Sequence, residues 1–184
     1  MIRSPEARRA ALLQTVQWFC FVLTGLVFYC IMRSGSGVKP LLLIPLALCI
    51  SAHVREIPAT AVGVAGGLLT DIACGKLLGY NAVWLVICCV VSSLLHSFYL
   101  RGKLLNTLLL TAVCTAVQGY LDFMFYYAIW GHEDVSMIYT HIMLPSGMMT
   151  MLCTIPIWFL VKWLCRLCGS KRTLELEKVI VSNQ

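Results

Sequence analysis

The chain has 184 residues, of which 60% are hydrophobic and 12% charged, with a formal net charge of +6. Soluble domains carry about 25% charged residues, so this composition excludes a soluble globular protein. It also argues against nucleic acid as a partner, because no basic stretch is interleaved with the aromatics that single-strand binding needs.

Residues 10–32, 77–100, 104–121 and 135–161 contain no Asp, Glu, Lys or Arg. Roughly 20 apolar residues cross a bilayer as a helix, so the chain reads as an all-α integral membrane protein. Six spans are predicted, at 11–32, 38–54, 57–75, 79–100, 104–129 and 141–164. They form one transmembrane domain over 11–164, between a short N-terminal segment (1–10) and a polar tail (165–184).

The first span follows Arg3, Arg8 and Arg9. Its apolar run exceeds the ~7–15 residues of a cleaved signal, so an uncleaved helix is expected. Spans two and three are short, and segments of their length suit re-entrant loops as well as full spans. Arg55-Glu56-Ile57-Pro58 forms a polar turn between them, with Pro58 placed for the first turn of the next helix.

Span three carries Ala59, Gly63, Gly67, Asp71, Gly75 and Gly79 at intervals of four. The lower part is a small-xxx-small stripe, which brings helices together in lipid. It serves either packing inside the protein or contact with another protein's helix. Asp71 lies in this apolar run, where a carboxylate is costly and faces the protein interior. Span five has a polar stripe of Thr107, Thr111, Thr115, Gln118 and Asp122 on one helical side. Lys76 is a cation for either carboxylate. Asp71 and Asp122 then act as structural links between spans three and five, or as a substrate or ion site.

Other polar residues carry blander readings. His53 and His96 fall near a membrane surface as satisfied interfacial histidines, and Pro145 and Pro156 are expected to kink the last span. Cys165 and Cys168 form a lone CxxC with no further pair nearby to complete a zinc site. No catalytic constellation is visible, so neither an enzyme nor a cofactor is expected.

Sidedness follows from the basic residues. With six spans and an inside N-terminus, eleven of the 14 lysines and arginines lie inside, leaving Arg33, Lys39 and Lys76 outside. That is a positive-inside bias, predicting both termini in the cytoplasm. If segments two and three were re-entrant from outside, only Arg55 would change sides.

Gly66-Gly67-Leu68-Leu69-Thr70-Asp71, then Gly75 and Leu78-Gly79-Tyr80-Asn81, resemble the bacterial rod shape-determining membrane protein family MreD. Gly67, Leu68, Asp71, Leu78 and Gly79 match that family's Gly-Leu-x-x-Asp and Leu-Gly elements, and Leu144-Pro145 fits the opening of its last span. Gln118 stands where relatives often carry Glu, a departure that removes a charge. The resemblance implies a noncatalytic scaffold of the cell-elongation machinery in the bacterial plasma membrane. Its expected partners are an MreC-type single-span protein and membrane lipid, and indirectly an MreB-type actin-like filament and wall synthases. It also implies a six-helix fold similar to the substrate-binding subunits of energy-coupling-factor vitamin transporters, which makes such a subunit the alternative function. Those subunits often show Ala-xxx-Ala in the first helix; here Arg8 and Arg9 interrupt Ala7-xxx-Ala11.

Overall fold

A computed structural model describes residues 5–34, 40–98, 104–125 and 144–167. Six α-helices occupy these segments: α1 (Pro5–Ser34), α2 (Leu43–Ser51), α3 (Glu56–Cys74), α4 (Tyr80–Phe98), α5 (Leu104–Phe123) and α6 (Leu144–Leu167). Four of them, α1, α3, α5 and α6, are long and apolar enough to cross a membrane, and α4 is a further apolar helix. The external loop expected around His132, Glu133 and Asp134, and the second cysteine of the CxxC, lie outside the described residues.

Local chemistry explains the helix ends. Arg55 is extended (φ −72°, ψ 169°) and Glu56 stands in the first turn of α3, where a negative charge meets the positive end of the helix dipole. Gly75 ends α3 in the left-handed conformation (φ 67°), which glycine adopts without steric cost. Pro145 sits in the first turn of α6, where its missing N–H is no loss. Only Pro156 lies in the helix interior, so the expectation of two kinking prolines reduces to one. The first helix starts at Pro5, ahead of the apolar run, so the segment expected as a separate N-terminus is largely helical.

The second predicted span departs most from expectation. Its helix has nine residues, a rise of only about 13.5 Å, against a hydrocarbon core of ~30 Å. Every residue from Leu43 to Ser51 is buried. A helix enclosed on all sides is apolar all round, and in sequence that pattern is indistinguishable from a lipid-facing span. Leu43 and Leu46 pack with Phe21 of α1 and Ile157, Trp158 and Val161 of α6. Ile44, Ala47 and Leu48 pack with Leu85, Cys88 and Cys89 of α4 and Cys114 of α5. The short helix is therefore the hub on which the longer ones assemble.

Around this hub the usual distribution of polarity is reversed. Large apolar side chains such as Phe19, Ile57, Val83, Leu105 and Leu152 are exposed, whereas Thr70, Asp71, Asn81, Ser92, Ser93, Thr107, Thr111, Gln118, Asp122, Thr150 and Thr154 are buried. That distribution suits a bundle whose solvent is hydrocarbon. Most buried hydroxyls bond within their own helix: Thr70 Oγ1 donates to the Gly66 carbonyl, Thr111 to Thr107 and Thr154 to Thr150. Others join elements. Ser93 Oγ donates to the Val54 carbonyl at 2.8 Å, and the Leu41 N–H donates to Thr150 Oγ1 at 3.0 Å.

Candidate functional site

The α3–α4 hairpin gathers the residues singled out in the sequence. Ala59, Gly63, Gly67 and Asp71 are all buried on the face of α3 that meets α4. The fit leaves no room for side chains. A Cβ on Gly63 would stand 2.8 Å from Val86 Cα, and one on Gly67 would overlap the backbone of Ala82. The glycines thus bring the α4 backbone into direct contact with α3, as small residues do in membranes. In this structure α4 of the same chain occupies the stripe, which is therefore not open to another protein's helix.

Asp71 works in two directions. Its backbone carbonyl accepts the N–H groups of Gly75 and Lys76 and closes the end of α3. Its carboxylate reaches forward to the start of α4. Oδ2 accepts from the Gly79 N–H at 2.8 Å and Oδ1 from the Asn81 N–H at 3.1 Å. The first amides of a helix have no intrahelical partner, and in hydrocarbon each one left unmatched is costly. A carboxylate there also meets the positive end of the helix dipole. The expected partners of Asp71 were Lys76 or the stripe on span five. The contacts its carboxylate makes here are of another kind, with the backbone at the start of α4. The reach requires a tight connection, and Gly75 (φ 67°) and Gly79 (φ 97°) supply its two left-handed turns.

Two polar contacts beside the Gly75–Gly79 turn tie the hairpin to α5. Lys76 Nζ pairs with Asp122 Oδ2 at 2.5 Å, and Gln118 Nε2 donates to Asn81 Oδ1 at 2.6 Å. Gln118 and Asp122 are one helical turn apart, so they meet the hairpin side by side. Lys76 also follows the C-terminus of α3, where a cation is favoured. The rest of the predicted stripe behaves differently. Thr111 bonds within α5, and Thr107 Oγ1 lies 3.4 Å from His96 Nε2 at the opposite end of α4. A continuous polar path along α5 is therefore not what the stripe builds.

Asn81 was quoted in the sequence only as part of a motif, and its role was missed. It is 2% exposed, and its amide joins α4 to α5. A carboxamide two residues after a glycine, at the start of an apolar helix, was the available signal. Tyr80, Asn81, Val83, Trp84, Ile87, Gln118 and Leu121 line a half-open pocket of about 340 Å³ between α4 and α5. Among the described residues no group of three or more His, Cys, Asp or Glu is placed to hold a metal ion. Cys49, Cys88, Cys89, Cys114 and Cys165 are buried free thiols, consistent with cysteine as a small apolar residue.

Comparison with known proteins adds the family. No significant match is found among curated proteins or solved structures. Residues 9–168 match the family described as rod shape-determining protein MreD. That match takes in all six helices almost completely, including the Asp71 clamp and both contacts to α5, and the chain belongs to the MreD family of rod shape-determining proteins.

Proposed function

We propose that this protein is a noncatalytic scaffold of the bacterial cell-elongation complex, acting in cell shape through lateral peptidoglycan synthesis. The family match over residues 9–168 carries the reading. The chemistry of the hairpin supports it, since the polar groups of Asp71, Lys76, Asp122, Asn81 and Gln118 bond to one another's elements and so join α3, α4 and α5. In this proposal the chain lies in the plasma membrane and binds an MreC-type single-span protein. Through it the chain acts with an MreB-type filament and wall synthases. It keeps both termini in the cytoplasm and shares the six-helix arrangement of vitamin-transporter substrate subunits.

Depletion in a rod-shaped host is expected to give round cells, and affinity purification of the chain is expected to bring down the single-span protein. Rods that stay rods, with a small molecule retained through purification, would instead favour the vitamin-carrier alternative. Orientation is checked separately. With a membrane-impermeant thiol reagent and a cysteine-free background, cysteines at Ser4 and Ser182 are expected to stay unlabelled from outside and one at His132 to react. External labelling of either terminus would refute the orientation.

A further inference from the structure

The last turns of α6 carry charge that the bundle does not balance. Phe159, Lys162, Trp163 and Arg166 are spaced at i, i+3, i+4 and i+7, so they share one side of the helix. Among the described residues no acid pairs with Lys162 or Arg166. Like charges four residues apart on a helix repel, and an anion between them removes that cost.

Lys162 is also held in place. Its Nζ lies 4.3 Å from the centre of the Trp158 ring, a cation–π contact. Trp158 itself belongs to the core with Phe21, Ile157 and Val161. The ring covers one side of the ammonium, whose three donors leave capacity for oxygen acceptors on the other. Lys76 differs, because its ammonium already has Asp122. Below the two cations the same side of α6 is apolar. Leu152, Ile155 and Phe159 are all exposed and continue it toward the middle of the helix. A ligand for this side therefore joins an anionic group to hydrocarbon. Free phosphate lacks the hydrocarbon, and a zwitterionic headgroup brings a cation of its own. An anionic phospholipid supplies both parts.

We propose that this side of α6 binds an anionic phospholipid, with its headgroup at Lys162 and Arg166. The phosphodiester oxygens accept from Lys162 Nζ and the Arg166 guanidinium, and an acyl chain follows Phe159, Ile155 and Leu152. The inference goes beyond the scaffold reading and does not depend on it.

The test is native mass spectrometry of the full chain, released from micelles holding equal amounts of phosphatidylglycerol and phosphatidylcholine. Phosphatidylglycerol is expected to be retained preferentially. Lys162→Gln and Arg166→Gln are each expected to lower that preference about fivefold, the effect of one basic side chain near an anionic surface. Lys162→Arg is expected to keep it, since a guanidinium also stacks on an aromatic face. Arg33→Gln is the control for net charge. Gln17 Nε2 reaches Cys165 Sγ, and Arg33 lies a further sixteen residues, about 24 Å, along α1. Its preference is expected to match that of the unaltered chain. Arg166 is exposed, so Arg166→Gln carries the test should Lys162→Gln melt early. Equal retention of the two lipids would overturn the proposal in favour of a protein acid, such as Glu175 or Glu177 of the tail. A preference that survives both glutamine substitutions, or falls as far with Arg33→Gln, would refute the site.

Discussion

Asp71→Leu is expected to remove most of the folded protein from the membrane. The substitution strips the Gly79 and Asn81 amides of their acceptor and buries both beside leucine. Hydrogen bonds to charged groups contribute about 1.5–3 kcal/mol each, and an amide left unmatched adds its own desolvation cost. The loss is therefore several kcal/mol, a large share of the roughly 5–15 kcal/mol that holds a typical protein folded. Asp71→Asn keeps one carbonyl acceptor but turns an N–H₂ donor toward the other amide, so it is expected to fall between wild type and Asp71→Leu. Thermal melting in detergent and steady-state membrane abundance measure both. An Asp71→Leu protein that melts normally and accumulates normally, yet gives round cells on replacement, would show that the carboxylate serves a partner or ligand and not the hairpin.

This clamp illustrates what the sequence discloses and what it withholds. A lone carboxylate in an apolar run announces that it must be satisfied inside the protein, and Asp71 is fully buried. The run does not say by what. Cations and polar side chains are visible as letters, whereas the Gly79 and Asn81 amides belong to the backbone and become donors only because α4 begins there. The stripe of Ala59, Gly63 and Gly67 announced a close helix approach, but the identity of the neighbour depends on the turn at Gly75 and Gly79 that folds α4 back onto it. The short helix α2 was the least legible element. Hydropathy measures the wish to avoid water, and lipid and a protein core satisfy that wish equally. A helix buried among other helices and one facing lipid are therefore written in the same residues. Lys76 is legible in the sequence as a cation for either carboxylate, and the fold places it against Asp122.

Gly67→Ala is expected to be nearly as damaging as Gly67→Leu, although it adds only one methyl group. The reason is that the obstacle is backbone. A Cβ at Gly67 meets the Cα, N and Cβ of Ala82, and none of these can rotate away as a side chain would. Relief requires α4 to move off α3, which also lengthens the bonds from Asp71 to the start of α4. Overpacking costs about 1–3 kcal/mol when side chains yield, so a site where they cannot is expected at or above the upper end. Gly66→Ala is the matched control. Its added methyl would lie 3.3 Å from Leu85 Cδ2 and 3.4 Å from Ala47 Cβ, and a small rotation of the leucine accommodates the first. Gly63→Ala is expected between the two, since Val86 Cα would stand at 2.8 Å. The order of melting temperatures in detergent should run Gly66→Ala above Gly63→Ala above Gly67→Ala. The same series separates two roles for the stripe. Internal packing predicts that stability and partner binding fall together along it. A Gly67→Ala protein with an unchanged melting temperature and lost co-purification would mean that α4 is not the neighbour that the stripe serves in the cell.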